Sequence, residues 1–159
     1  SVWDYPRPPA LEQVAKPIRI VVGSKTLAST TSAWRVLETS HPPTYYIPPD
    51  QLTEPGRQAL IRSRRRATHC EWKGKAEYLD LDLAGESVLP ACGWRYPNPV
   101  PAFADLKDCV AFYPGPLDVC EVAGEQVQRQ EGDFYGGWIN SWIDGGQRGF
   151  KGGPGTFGW

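Results

Sequence analysis

The sequence predicts a mainly β domain: a small barrel-like or folded-over antiparallel sheet with one or two short helices. Three observations lead there. Short runs of β-branched and aromatic residues recur along the chain, bounded by glycine or proline, as brief strands joined by tight turns would be. The 159 residues include 17 glycines and 16 prolines, enough to punctuate such strands, while an aromatic content of 12% argues against disorder. Seven tryptophans supply bulky rings of the kind that β packing buries well. A chain of this length forms one domain and buries roughly two-thirds of its unfolded surface.

The elements follow in order. Residues 1–16 read as an extended N-terminal arm, because Trp3, Tyr5, Pro6, Pro8 and Pro9 alternate ring and proline. Trp3 and Tyr5 would anchor the arm on the domain or on a neighbouring subunit. Residues 17–131 form the β core. Ile18 to Val22 is a strand ended by Gly23, and Thr26 to Ser29 pairs back on it. Trp34 to Glu38 is a third strand, with Trp34, Val36 and Glu38 on one face. Tyr45-Tyr46-Ile47 is a fourth, fenced by Pro42-Pro43 and Pro48-Pro49. A short helix is expected around Arg57–Ile61. Ala67 to Trp72 is a strand, and Lys73-Gly74-Lys75 a turn. Ala76 to Leu83 alternates so that Leu79, Leu81 and Leu83 face the core, and Gly85-Glu86 closes a hairpin onto Ala91 to Tyr96. Prolines open a second short helix over Val100–Cys109. Val110 to Tyr113 and Leu117 to Val122 complete the core. Residues 132–159 hold ten glycines and seven aromatics and read as a tail packed on the core, pinned by Tyr135, Trp138 and Trp142.

The net charge of -1 provides no field for nucleic acid or an anionic membrane. One basic run stands out, Arg62-Ser63-Arg64-Arg65-Arg66. It reads as a solvated loop or, more sharply, as an anion clamp, since arginine presents a forked set of donors. No apolar run is long enough to span a membrane, and no charged start leads into an apolar stretch, so a cytoplasmic location is expected. Cys70, Cys92, Cys109 and Cys120 are expected as reduced thiols, and without close cysteine pairs a zinc site is a weak prospect. Phe150 to Thr156 resembles a phosphate loop only faintly, lacking both the residue order and the strand-then-helix setting. No cofactor and no metal are therefore expected.

Several stretches resemble the DUF427 family. They are Glu38-Thr39-Ser40-His41 ahead of Tyr45-Tyr46-Ile47-Pro48-Pro49, then Thr68-His69-Cys70-Glu71-Trp72-Lys73-Gly74 with Ala76 and Tyr78, then Trp94-Arg95-Tyr96-Pro97 and Val110-Ala111-Phe112-Tyr113. Ser1-Val2-Trp3-Asp4-Tyr5-Pro6 and Phe134-Tyr135-Gly136-Gly137-Trp138 look like the arm and tail of a longer subgroup. Glu71 departs from the pattern, standing where relatives often carry proline. The resemblance implies a small, cytoplasmic, mainly β protein whose folded-over sheet encloses a pocket. A nucleotidyltransferase label is sometimes attached to such proteins. The residues here give it little support: Asp80 and Asp82 share a strand face and could hold Mg²⁺, but a solvated edge accounts for them more simply.

The candidate site residues each have a plainer alternative. Cys70 is a nucleophile if Lys73 or His41 lies close, and otherwise a small buried hydrophobe. His69 points to the opposite strand face and is a poor partner for it. His41 sits in a proline-stiffened loop where Glu38 can orient it as acid or base; otherwise it is a loop histidine bonded to backbone. Lys73 would hold a carboxylate or stabilise an oxyanion, or else is an exposed turn residue. Tyr46, Tyr78, Trp94 and Tyr96, with Trp72, supply pocket walls and polar tips, or fill a β core. The function expected is a small-molecule-binding domain acting as a cofactor-independent acid–base enzyme of isomerase, lyase, cyclase or hydrolase type. A non-catalytic module for a metabolite or protein is the alternative, and nucleotide binding by the arginine run and the glycine-rich tail a weaker one. A homodimer joined through exposed aromatics is a further expectation, with an arm folded on its own domain the competing reading.

Overall fold

Proline and glycine set the lengths of the strands, and burial sets their phase. In the computed structural model, which describes every residue except Gly85, Glu86, Asp133 and Phe157, a 3-10 turn at Val2–Asp4 opens the chain. Next come β1 (Ala10–Val14), β2 (Ile18–Val22), β3 (Lys25–Thr30), β4 (Ala33–Leu37) and β5 (Thr44–Tyr46). The proline pairs on either side keep β5 to three residues, because proline donates no ladder hydrogen bond. Helix α1 (Glu54–Ala59) is capped by Thr53, whose Oγ1 accepts from the Gly56 N–H at 3.0 Å, with proline in its first turn. Then follow β6 (Leu60–Arg62), β7 (Thr68–Cys70), β8 (Gly74–Asp82) and β9 (Val88–Arg95). After a 3-10 segment at Pro101–Leu106 come β10 (Ala111–Phe112), β11 (Val119–Val122), β12 (Glu125–Gln126), β13 (Gln128–Arg129) and β14 (Trp138–Ile139).

Every pairing of the named strands among the described residues is antiparallel. The sheets run β1-β4-β5, β10-β9-β8-β6 with β7 beside the start of β8, β12-β11-β2-β3, and β13-β14. Ile47 and Val110 exchange two backbone hydrogen bonds of 2.8 Å and tie the first sheet to the second. The sheets fold over one another, and no strand among the described residues closes them into a barrel.

Alternation then sorts side chains into two hydrophobic clusters. From β5, Tyr45 enters the first and Tyr46 the second. From β8, Leu79 and Leu81 enter the first, Ala76 and Tyr78 the second; from β10, Phe112 and Ala111 divide likewise. The first cluster is mostly aliphatic and holds β2, β3 and β11. The second is rich in rings and lies under the β4–β5 loop.

Four sequence expectations shift. Of the sixteen residues expected as an arm, Ala10–Val14 form β1 and pair with β4 along five register positions; Leu11 packs on the second cluster and Val14 in the first. Val2, Trp3 and Arg7 at the start of the arm contact the tail of their own chain. Trp3 donates its indole N–H to the Gly149 carbonyl at 3.0 Å and meets Trp159 edge-on at 5.2 Å. The helix expected over Arg57–Ile61 starts earlier, where Thr53 caps it, and Leu60 and Ile61 instead pair with β8. The helix expected over Val100–Cys109 is the 3-10 segment, broken at Phe103 (φ -117°); three residues per turn put Phe103 and Leu106 on one buried side. The turn expected at Lys73-Gly74-Lys75 falls at residues 71–73, and Gly74 (φ +114°) already begins β8. The expected hairpin tip at Gly85-Glu86 lies outside the described residues.

Candidate functional site

The end of β4 aims the site. Because Val36 faces the second cluster, Glu38, two residues on, faces it too. The chain then turns sharply: the His41 N–H bonds the Glu38 carbonyl at 3.0 Å, and Ser40 takes a positive φ of 71°. His41 Nδ1 lies 2.9 Å from the Thr39 carbonyl oxygen. A carbonyl can only accept, so Nδ1 carries the proton and Nε2 of the neutral ring is the basic nitrogen. Glu38 Oε2 is 3.8 Å from Nδ1 as well. Burial pulls the His41 pKa below the ordinary value, with Glu38 and the Thr39 carbonyl opposing and Lys151 and Lys73 adding to the shift.

Lys73 reaches the same carboxylate from the β7–β8 turn, which is pinned by the Val100 N–H on the Lys73 carbonyl at 2.9 Å. Its Nζ is 3.9 Å from Glu38 Oε1, and its side chain is only 12% exposed. Burial works against the ammonium, yet Tyr46, Cys70 and Glu38 together hold its pKa above the usual lysine value. Among the described residues Glu38 is its only ion-pair partner, so this cation is nearly enclosed and loosely paired.

The rings close the walls. Tyr46 is fully buried and accepts the Trp94 indole N–H at 3.3 Å. Burial raises the pKa of Tyr46, with Lys73 opposing, and burial raises that of Tyr96 beside it. The Tyr78 hydroxyl shares a 2.9 Å hydrogen bond with the Thr68 hydroxyl. These groups surround a cavity of about 280 Å³. All nine residues picked out from sequence border it: Glu38, His41, Tyr46, Cys70, Trp72, Lys73, Tyr78, Trp94 and Tyr96. Cys70 is half-buried at the end of β7, close enough to Lys73 to support its charge, and His69 sits exposed at the rim.

Sequence reasoning missed the tail's share of the wall, to which Phe134, Tyr135, Gly136 and Lys151 contribute, with Gln130 just ahead of the tail. Tyr135 meets the His41 ring edge-on at 5.0 Å, and Lys151 Nζ lies 5.5 Å from the Tyr135 ring. The Lys151 N–H bonds the Ser40 carbonyl at 2.8 Å, which fastens the tail to the His41 loop. A Cβ on Gly136 would fall 2.3 Å from Trp94 Cη2, so glycine is needed for this approach. Glycines set among rings in Phe134-Tyr135-Gly136-Gly137-Trp138 were the available signal for such a contact. Of the expected tail anchors, Trp138 is buried, donating to the Phe112 carbonyl at 2.9 Å and stacking on Tyr45 at 4.8 Å. Trp142 is 50% exposed.

Asp80 and Asp82 do not act as a pair. Asp80 accepts the N–H of Ala91 at 2.6 Å, where the bulged β9 takes a positive φ of 47°, and Asp82 is exposed. No group of three or more His, Cys, Asp or Glu side chains among the described residues is placed to hold a metal ion. All four cysteines are free thiols; burial pushes the Cys92 pKa up to about 12 and that of Cys109 up to about 11. No helix among the described residues is long and apolar enough to cross a membrane.

A family model described as a domain of unknown function, DUF427, matches residues 10–123, well over half of the chain, and the chain belongs to that family. No curated protein matches it significantly. Beyond residue 123, the tail residues that complete the cavity lie outside the matched region.

Proposed function

We propose that this DUF427 domain binds a small anionic molecule in the cavity and acts on it as an acid–base enzyme without a cofactor, of isomerase, lyase, cyclase or hydrolase type. The observation that carries the reading is the Glu38 carboxylate, 3.8 Å from His41 Nδ1 and 3.9 Å from Lys73 Nζ. Lys73 supplies a fixed positive charge for a ligand carboxylate or for an oxyanion formed during reaction, and in this enclosed setting that charge is weakly screened. His41, kept neutral by burial, takes a proton on Nε2, and Glu38 stabilises the resulting imidazolium through Nδ1. The Tyr46 hydroxyl, whose oxygen already accepts from Trp94, has its own proton left to donate. Cys70, Trp72, Tyr78, Trp94 and Tyr96 enclose the carbon frame of the ligand.

The test is a panel of small carboxylic acids with an acidic C–H beside a carbonyl, incubated with the protein in D₂O and followed by proton NMR. Exchange catalysed by the wild type, lost in His41→Ala, and binding weakened about tenfold in Lys73→Gln, are the expected results. Binding without exchange, unchanged in His41→Ala, would replace the enzyme by the second reading, a non-catalytic module for a metabolite or protein. That reading draws support from the Glu38–His41 separation, which is longer than a hydrogen bond.

The cytoplasmic location, the homodimer and the placing of arm and tail in a longer subgroup belong to the same proposal. The half-exposed Phe134 and Trp142 are the candidates for a dimer contact, and light scattering on the purified chain reads the oligomeric state.

A further inference from the structure

Beside the cavity lies a second hollow with a different character. It is a cleft of about 420 Å³ bordered by Arg62, Arg64, Arg65, Arg66 and Lys75, with Glu77 as its one carboxylate. That carboxylate is already engaged: Glu77 Oε1 accepts from Arg95 Nε at 3.0 Å and Nη2 at 2.7 Å, and Glu77 Oε2 is 3.8 Å from Arg62. Among the described residues Arg64, Arg65, Arg66 and Lys75 have no acidic partner. In a chain whose net charge is -1, this cluster is a local excess of cation.

Tyr78 borders both hollows. The Arg65 guanidinium lies 4.1 Å from the centre of its ring, while its hydroxyl bonds Thr68. Stacking on a ring holds a guanidinium plane in place and leaves its edge donors free. The Ser63 hydroxyl accepts the Arg65 N–H at 3.0 Å and shapes the loop that presents these side chains.

We propose that the arginine cleft is a subsite for a phosphate monoester, and that it holds the phosphoryl end of a ligand whose carbon frame enters the cavity past Tyr78. This rests on the reading of the cavity as a ligand site. A dianionic phosphate suits several forked donors better than a singly charged sulfate of the same shape, because both total charge and the number of strong acceptor oxygens decide the fit.

Isothermal titration at about 0.15 M salt, where distant surface charges are largely screened, tests this with phenyl phosphate, phenyl sulfate and inorganic phosphate. Phenyl phosphate is expected to bind saturably, at least about tenfold tighter than either of the others. The double variant Arg64→Gln/Arg65→Gln, with its fold checked by circular dichroism and urea unfolding, is expected to lose at least about tenfold in phenyl phosphate affinity. An unchanged affinity in the double variant overturns the subsite. Phenyl phosphate binding no tighter than inorganic phosphate overturns its connection with the cavity. Benzoate, which carries no phosphate, separates the two proposals: benzoate binding sensitive to Lys73→Gln with no phosphate effect sinks the cleft alone, and the converse sinks the cavity reading.

Discussion

The first and second hydrophobic clusters draw on the same strands and differ in what those strands deliver. Toward the first, β5, β8 and β10 send Tyr45, Leu79, Leu81 and Phe112, which meet Val, Ile and Leu from β2, β3 and β11. Toward the second they send Tyr46, Ala76, Tyr78 and Ala111, which meet Trp94, Tyr96 and Phe103. Aliphatic side chains can slide into contact on every side, so the first cluster fills. Rings with polar tips must satisfy each tip, as Trp94 does on Tyr46 and Tyr78 does on Thr68, and their fixed orientations leave a cavity. Charge follows the same division: Glu38, His41 and Lys73 all lie on the cavity side. The difference teaches that one sheet face secures the fold while the other is free to hold a site.

Removing the largest side chain of the first cluster should break this comparison most visibly if it is mistaken. Trp138→Ala deletes a buried indole, its hydrogen bond to the Phe112 carbonyl and its stacking on Tyr45. A loss of about 3–5 kcal/mol is expected in urea unfolding. Trp94→Ala should cost less, at the low end of about 3–5 kcal/mol, because one side of the indole borders the cavity rather than packed side chains. Equal losses would mean that the two clusters are packed alike.

Gly136→Ala probes the seam between tail and cavity. The added methyl would sit 2.3 Å and 2.6 Å from two carbons of the Trp94 ring, so either the tail lifts or the indole turns. A cost of about 1–3 kcal/mol is expected, together with a shift in tryptophan emission. A neutral result would show that the tail does not rest on Trp94.

How far the fold was legible follows from the physics of each element. The strands at Ile18–Val22, Trp34–Glu38 and Tyr45–Ile47 were readable because β-branched and aromatic residues alternate between proline and glycine stops. The helix expected over Val100–Cys109 is only partly legible, since prolines at its start fit either helix type and the spacing of Phe103 and Leu106 puts them on one side in both, so the sequence does not show the break at Phe103. β1 was hidden by the proline-rich stretch before it. The candidate residues could be named from their chemistry, but not the position of Glu38 between His41 and Lys73, because local periodicity carries no information about which distant turn returns to a given loop. Lys151 and Tyr135 were illegible for the same reason: a long-range backbone bond to Ser40 places one and a contact with His41 the other.

A change of pH should sharpen the contrast, since the buried histidine belongs to the cavity side. Burial lowers the pKa of His41 in the folded chain, with Glu38 opposing. Between the unfolded value near 6.5 and the lower folded value, the unfolded chain binds more protons. Stability from this group is therefore fully present above the unfolded pKa and falls as pH drops through that window toward the folded pKa. Urea midpoints measured from neutral to mildly acid pH should decline less steeply in His41→Gln than in the wild type. Parallel declines would place the acid sensitivity elsewhere.

The smallest expected effect comes from the tail itself, where Trp138 and Trp142 stand one helical turn apart in sequence but in different surroundings. Trp138 is 1% exposed with its indole N–H bonded, whereas Trp142 is 50% exposed, with its backbone N–H on the Asn140 side chain at 3.1 Å. A ring half in water has little area to lose from the folded state, so Trp142→Ala should stay within about 0.5 kcal/mol of the wild type at low protein concentration. The measurement is made informative by repeating it at high concentration. If Trp142 seats a second copy of the chain, the wild type gains stability as concentration rises and the variant does not, because association stabilises only the folded form. If both stay flat, the exposed ring makes no contact between copies, and the tail's contribution ends with Trp138 in the first cluster and Tyr135, Gly136 and Lys151 around the cavity.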